Sequence, residues 1–368
     1  MLYRETGQFK SDYAADQQLF PIRQDRIAII ALLAVAFLGI PLAAATPGIA
    51  GAIDFNYWFN GVLIPFLIFS LAALGLNILT GYAGLLSLGT AAFMAVGAFA
   101  AYNFELRVPG IPMLLSFVLA GCVAALVGLV FGLPSLRIRG FYLAVATLAA
   151  QFFVVWALTK FAWFSNYSTS GVITAQKIVV FGWVVDTPVK RYLLVLAVVC
   201  VMALAAKNLV RGAIGRAWMA VRDMDVAAEV VGIPIVRTKL LAFAISSFYC
   251  GVAGALYAFA YLGTVEPAGF ELDLSFRILF MIIIGGVGSI LGSFLGAAFI
   301  VLLPIFLDLS ANAIEHTFGL ALPSGLASNL TLIIFGALIV FFLVVEPLGL
   351  ARLWQIGKEK LRLWPFPH

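Results

Sequence analysis

Long apolar runs separated by short polar stretches constrain this chain more than any other feature of its sequence. The first run lies at 27–45, and about 20 apolar residues in an α-helix cross the hydrocarbon core of a bilayer. Hydrophobic residues make up 64% of the chain and charged residues 11%, whereas roughly a quarter of the residues in soluble domains are charged. The pattern predicts an all-α integral membrane protein and leaves no room for a soluble catalytic domain.

About ten transmembrane helices are predicted, of which the eighth and ninth are short and broken by glycine. They form a transmembrane domain at 27–346, between a polar segment at 1–26 and a tail at 347–368. The first run also fits a cleavable signal ending at Ala43 to Ala45, but the eight charges of both signs before it favour a retained helix. The predicted spans are 27–45, 58–76, 84–102, 113–133, 141–159, 192–206, 240–261, 278–287, 290–307 and 329–345.

The distribution of Lys and Arg predicts the orientation, because cytoplasmic loops carry an excess of these residues. With the N-terminus inside, 16 of the 22 Lys and Arg residues fall on cytoplasmic segments. Both termini are therefore predicted to be cytoplasmic, and the net charge of +5 has a topological explanation. No basic run alternates with aromatic residues as a nucleic-acid groove requires, so we expect contact with membrane lipid and not with nucleic acid.

The interiors of the ten predicted spans contain no Asp, Glu, Lys, Arg or His. Intramembrane charges are a usual means of coupling transport to protons or ions, so uphill transport by this chain would need a separate motor. The sequence lacks the G-x-x-x-x-G-K-[ST] motif that binds the phosphates of ATP. No group of His, Cys, Asp or Glu has metal-ligand spacing. We expect no catalytic residue, metal or cofactor on this chain.

Two glycine-rich breaks in the apolar pattern are candidates for a transport pathway, and they would form a parallel repeat. Interrupted membrane helices in corresponding halves of a chain often mark a transport route, although polar residues there could serve only to satisfy backbone groups freed by the break. The four-residue spacing of glycines in the second break favours close helix packing over phosphate binding. The candidate pathway residues are Asn77, Gly81, Tyr82, Gly84, Ser87, Thr90, Gln151, Gly285, Gly286 and Gly288.

The polar, basic loop at 207–239 is the most distinctive stretch of the sequence. Asp225 is predicted to cap a short helix at 226–231, Gly232 to end it and Pro234 to prevent its continuation. A helix this short is marginal alone in water, so it should need a partner surface. A loop held on lipid headgroups is the simpler alternative. The candidate contact residues are Gly215, Arg216, Ala220, Arg222, Asp223, Ala227, Ala228, Glu229 and Gly232.

The sequence GRAWMAVRDMDVAAEVVGIP at 215–234 resembles the ATPase-contacting loop in permeases of the branched-chain amino acid ABC importers. Segments within 75–307 resemble the M-type permease of the same family. The resemblance implies a second homologous permease, two ATPase subunits that carry ATP and magnesium, and an extracytoplasmic binding protein. The ATPases would dock on 216–232, and the binding protein on the outer loops at 160–191 and 261–273.

We therefore predict a non-enzymatic permease subunit of an ATP-driven importer in the cytoplasmic (inner) membrane. It would move branched-chain or related amino acids by alternating access. Members of this family also carry urea, amides and aromatic or aliphatic carboxylates, and selectivity lies mostly in the binding protein, so the substrate stays open. A passive facilitator and a membrane scaffold are the rival interpretations from other classes.

Overall fold

The computed structural model describes residues 23–46, 54–135, 141–168, 172–176, 178–180, 182–318, 326–346 and 348–363. The segment at 1–22 and the basic residues Arg137, Arg139 and Lys177 lie outside the described residues. The charge asymmetry across the membrane is therefore described only in part.

The first half of the chain forms six long helices. Helix α1 consists of the segments Arg23–Ala34, Val35–Gly39 and Ile40–Ala45, and α2 spans Phe55–Tyr82. The others are α3 at Thr90–Arg107, α4 at Met113–Ser135, α5 at Phe141–Lys160 and α6 at Pro188–Arg211. Between α5 and α6 lie three two-residue strands, β1 at Ile173–Thr174, β2 at Val179–Val180 and β3 at Trp183–Val184.

The second half begins with the polar loop and continues with five more helices. The loop contains α7 at Ala213–Asp223 and α8 at Asp225–Val230. Helix α9 spans Ile235–Leu262 and leads into β4 at Thr264–Val265 and a single 3-10 turn at Pro267–Phe270. The remaining helices are α10 at Leu272–Gly285, α11 at Ile290–Phe318, α12 at Leu326–Val345 and α13 at Gly349–Leu363.

The all-α architecture is confirmed, and each of the ten predicted spans falls on a helix. Seven helices within the described ranges are long and apolar enough to cross a membrane, namely α1, α2, α4, α5, α6, α9 and α11. The count of ten spans therefore stays a prediction. Several predicted boundaries are wrong. The span at 84–102 begins only at Thr90, the span at 278–287 lies on a helix from Leu272 to Gly285, and the span at 290–307 continues to Phe318. Glycines with positive φ lie before Thr90 and after Gly285, where they interrupt the helical conformation.

Helix α9 lies at the centre of the bundle, between α2, α3 and α4. Glycines permit this arrangement, because they let helix backbones approach closely. A Cβ at Gly97 of α3 would collide with the backbone of Gly251 on α9, and a Cβ at Gly254 with the carbonyl of Met94. Close backbone contact therefore joins α9 to α3, the helix that follows the first break.

Two groups of contacts define the ends of the bundle. At one end, β1 pairs antiparallel with β4, which joins the loop before α6 to the loop after α9. Near this end the Arg107 guanidinium stacks on Trp163, 3.4 Å from the ring centroid. At the other end, the Lys358 ammonium lies 2.7 Å from the Asp25 carboxylate and joins α13 to the start of α1.

Candidate coupling site at the glycine breaks

The first break follows the last turn of α2. Residues 83–89 are not helical, and Gly84 has φ +72°, a conformation that glycine adopts without the steric cost of a Cβ. The second break separates α10 from α11, where Gly286 has φ +121° and Gly288 has φ +80°. At both breaks the chain therefore changes direction sharply, and the helical hydrogen bonds are interrupted.

Asn77 joins the two breaks directly, although they lie more than 200 residues apart in the sequence. Its Oδ1 accepts a hydrogen bond of 2.8 Å from the main-chain N–H of Gly288. Its Nδ2 donates to the carbonyl of Ser289 at 2.7 Å and to Ser293 Oγ at 2.9 Å. Asn77 is fully buried, so its amide replaces the helical partners that the backbone around Gly288 lacks.

Gly81 makes the crossing of the two breaks possible, because its backbone packs against Gly288. A Cβ at Gly81 would collide with Asn77 Oδ1 and the Gly288 nitrogen. At the second break, a Cβ at Gly285 would collide with the carbonyl of Gly292, and one at Gly296 with the carbonyl of Met281. These contacts support the packing interpretation of the second glycine cluster.

Gln151 of α5 satisfies backbone groups at the start of α3. Its Oε1 accepts a hydrogen bond of 2.6 Å from the Ala92 N–H, and its Nε2 donates to the Phe270 carbonyl at 2.8 Å. Ser275 Oγ accepts from the Ala91 N–H at 2.9 Å. The first N–H groups of a helix have no intrahelical acceptor, so these side chains cap α3 from α5 and α10.

Two further candidates and one unpredicted residue lie beside this cap. Ser87 Oγ accepts a hydrogen bond of 3.3 Å from the Gly89 N–H, and Thr147 Oγ1 accepts one of 2.9 Å from the Leu88 N–H. The Thr90 hydroxyl is buried and has no hydrogen-bond partner in the described part of the chain. Thr147 and Ser275 were not predicted, because serine and threonine are common in apolar helices and only the fold places these two at a break.

The structure thus gives most of the candidate pathway residues a defined local role. Except for Gly84, which is exposed and lies against Arg222, and Gly288, which is half-buried, they are buried. Neither of two apolar cavities, of about 650 and 680 Å³, is lined by any of them. Asn77, Ser87 and Gln151 satisfy backbone groups, as the simpler interpretation predicts, while a role in the pathway stays a prediction.

The polar loop folds onto the bundle through one face of α7. Its inward residues follow a three-residue spacing at Gly215, Trp218 and Val221. The Trp218 side chain is fully buried, and its indole N–H donates to the Thr238 carbonyl of α9 at 3.0 Å. This anchor was not predicted, although an aromatic residue at helical spacing in a charged loop is a detectable signal.

The predicted short helix is present as α8, with one correction to its start. Met224 occupies the N-cap position in an extended conformation and Asp225 is the first helical residue, so the prediction of Asp225 as the cap is wrong. The C-terminal prediction is confirmed: Gly232 has φ +91° and its N–H donates to the Glu229 carbonyl at 2.9 Å. A left-handed glycine at this position ends many helices.

The outer surface of the loop is more apolar than predicted. Val230 is 83% exposed and Val231 is 81% exposed, and Met224 and Val226 are also exposed. Of the predicted contact residues, Gly215 and Ala228 are buried against the bundle, whereas Ala227 and Glu229 are exposed. Exposed apolar side chains on a charged loop mark a contact surface, which we call the valine surface and define as Met224, Val226, Val230 and Val231.

Arg222 connects this loop to the first break. Its Nη1 donates a hydrogen bond of 2.7 Å to the main-chain carbonyl of Gly81. Its Nε and Nη2 also contact Asp223 Oδ1, at 2.9 and 2.8 Å. Arg216 instead donates to the Arg211 carbonyl at 2.9 Å. Arg216, Arg222 and Asp223 therefore make contacts within this chain. Arg222 lies at the junction of the loop with the first and second breaks.

Comparison with known proteins agrees with this geometry. The family described as "Branched-chain amino acid transport system / permease component" matches residues 59–343. The permease LivM of the high-affinity branched-chain amino acid transport system of Salmonella typhimurium is 30% identical over 309 residues, which cover 77% of this chain and 68% of the relative. The Escherichia coli LivM matches with the same identity and coverage.

A more distant relative extends the match over nearly its whole length. A probable LivM permease of Methanocaldococcus jannaschii is 24% identical over 325 residues, which cover 78% of this chain and 92% of the relative. No solved structure matches this chain. The seven apolar helices and the similarity to permeases indicate a multi-pass membrane protein. This chain belongs to the permease family of the branched-chain amino acid transport systems.

Proposed function

We propose that this chain is a membrane-spanning subunit of an ABC importer that carries branched-chain amino acids or related solutes across the cytoplasmic membrane. The family match and the three LivM relatives support the permease class. ATP and magnesium would bind to two partner ATPases, and a second homologous permease would complete the pathway. An extracytoplasmic binding protein would deliver the solute.

The observation that carries this proposal is the hydrogen bond from Arg222 to Gly81. It connects an exposed loop, which offers an apolar contact surface, to a break in a membrane helix. A force applied to the valine surface would reach Arg222, which lies at the adjoining end of α7. Trp218 holds the middle of α7 on α9. The loop is thus built to transmit motion from a soluble partner to the break.

Alternating access would follow from movement at the crossing of the two breaks. Asn77 and Arg222 hold the breaks through hydrogen bonds to main-chain groups. Such contacts can be exchanged between two discrete arrangements, whereas a continuously packed helix pair resists deformation. ATP-driven closure of the ATPases would move the loop, and the two breaks would shift with it.

The proposed topology has ten spans with both termini in the cytoplasm. A series of contacts supports it: Arg222 joins the loop to Gly81, Asn77 joins the two breaks, Gly286 lies against Leu348, and Lys358 pairs with Asp25. These segments are the ones that the charge distribution assigns to the cytoplasm. The paired strands β1 and β4 would lie outside and contribute to the binding-protein surface.

Co-purification tests the proposal. The full chain carries a tag, is extracted from native membranes in mild detergent, and its partners are identified by mass spectrometry. Two ATPases and a second permease are the expected result. A homo-oligomer that contains no ATPase contradicts the proposal and supports the passive facilitator.

Val230→Glu tests the valine surface within the same experiment. Because Val230 is 83% exposed, the charge should not disturb the permease fold, but it should remove the ATPases from the complex. Val184→Glu is the matched control, since Val184 is 42% exposed on β3 at the opposite end of the bundle. If both variants lose the ATPases equally, or if neither variant loses them, the ATPases do not dock on the valine surface.

A further inference from the structure

The C-terminal helix α13 has no role in the mechanism proposed above, yet its sequence is strongly patterned. It follows the 20-residue apolar helix α12 after only three residues. Its residues Gly349–Leu363 combine apolar side chains with an excess of positive charge. The cations are Arg352, Lys358, Lys360 and Arg362, against the single acid Glu359.

The inward face of α13 is attached to the second break and to α1. Ala351 is 4% exposed and lies against Gly286, and Gly349 lies against the Ile284 carbonyl and Gly286. The Lys358 ammonium lies 2.7 Å from the Asp25 carboxylate. Asp25 begins the candidate span Asp25–Ala45. Helix α13 therefore contacts the ends of apolar helices both at its start and in its middle. These helix ends lie at the same end of the bundle.

The outward face of α13 presents large apolar side chains. Trp354 is 57% exposed and Leu353 is 48% exposed. Lys360 is also exposed, about two helical turns further along α13. Helices with one apolar face and a basic flank lie in the plane of a bilayer interface. Tryptophan is enriched at the level of the headgroups, and basic clusters next to a membrane helix attract anionic lipids.

We propose that α13 lies flat in the headgroup layer of the bilayer, with Leu353 and Trp354 in the upper acyl region and the exposed Lys360 on anionic lipid headgroups. Helix α13 lies beside the ends of α1 and α12, where a bilayer has its headgroups. Its positive charge is complementary to anionic headgroups. Both features favour lipid over a protein partner. Since α13 packs on Gly286, anionic lipid would stabilise the second break in the arrangement described here. This inference depends on the membrane location of the chain and not on its substrate.

Fluorescence quenching in lipid nanodiscs tests the inference on the full chain. An environment-sensitive fluorescent amino acid replaces Trp354, and lipids brominated in the acyl chain act as the quencher. The discs contain phosphatidylcholine alone or phosphatidylcholine with phosphatidylglycerol. The same probe at Val230, 83% exposed on the valine surface, is the water-exposed control. We expect strong quenching at position 354, further increased by phosphatidylglycerol, and weak quenching at position 230.

Charge removal tests the lipid preference separately from the fold. Each cation near an anionic surface contributes roughly fivefold to binding. Lys360→Gln should therefore lower, by about this factor, the population of the position-354 probe that is immersed in lipid relative to the population exposed to water. Lys360→Arg should leave this ratio unchanged. An unchanged size-exclusion profile in detergent establishes that the variants are folded. Equal quenching at positions 354 and 230 in both kinds of disc overturns the inference. Shielding of position 354 only after purified ATPases are added also overturns it, because it assigns the face to a protein partner.

Discussion

The Nη1 atom of Arg222 donates a hydrogen bond of 2.7 Å to the main-chain carbonyl of Gly81, and these two residues connect the polar loop to the broken helix α2. A carbonyl in the last turn of a helix has no intrahelical donor, so the guanidinium supplies one. Because the donor is charged, this bond is stronger than one between neutral groups. The loop cannot move away from the bundle without breaking it.

Arg222→Gln should uncouple ATP hydrolysis from transport. Loss of a hydrogen bond from a charged donor costs about 1.5–3 kcal/mol, which corresponds to roughly a tenfold or greater loss of uptake if this contact transmits the motion. The assembled complex in proteoliposomes should still hydrolyse ATP. Arg107→Gln is the control, because Arg107 stacks on Trp163 near the opposite end of the bundle. Equal uptake by both variants would exclude a coupling role for Arg222.

Asn77→Ala should destabilise the fold, because the Gly288 N–H loses its acceptor and the Ser289 carbonyl loses the Asn77 amide donor. An orphaned buried polar group costs about 1–3 kcal/mol. The free energy of unfolding is measured by denaturant titration in detergent micelles. Asn60→Ala is the matched control, since Asn60 is also on α2 but exposed. If the two variants unfold at the same denaturant concentration, Asn77 does not hold the breaks together.

Gly81→Ala should prevent the normal crossing of the two breaks. The added Cβ would collide with Asn77 Oδ1 and the Gly288 nitrogen, and backbone atoms cannot move aside as a flexible side chain can. We expect a loss of folded protein in membranes, measured by fluorescence-detected size exclusion. Gly336→Ala in α12 is the control, because no atom lies within 4 Å of the added Cβ. Normal yield of both variants would show that the breaks tolerate a larger separation.

Trp218→Ala should detach the polar loop. Removal of a buried tryptophan costs about 3–5 kcal/mol, and the Thr238 carbonyl also loses its donor. Protease cleavage within 212–234 should become faster, and the ATPases should be lost from the complex. Trp183→Ala is the control, because Trp183 is 76% exposed on β3. Unchanged cleavage of the loop would mean that α7 is held by other contacts.

Local features were the most predictable from sequence. The positions of the helices follow from apolar runs of membrane-spanning length, and Gly232 as a helix end follows from the need for a left-handed residue. Helix boundaries at the breaks were less predictable. Gly81, Gly84 and Gly89 all interrupt the same apolar pattern, but the sequence does not show which of them leaves the helical conformation, because glycine is permitted in either state.

The amino-acid sequence by itself determined the all-α membrane architecture, the two breaks and the polar loop, since hydrophobic length, glycine content and charge are local properties. Only the tertiary structure decided that Asn77 bonds to Gly288 and Ser289, that Arg222 bonds to Gly81, and that α13 packs on Gly286. Each of these contacts joins residues far apart in the chain. Their partners are main-chain groups or glycines, whose contacts depend on the path of the backbone. No side-chain pattern in the sequence therefore predicts these contacts.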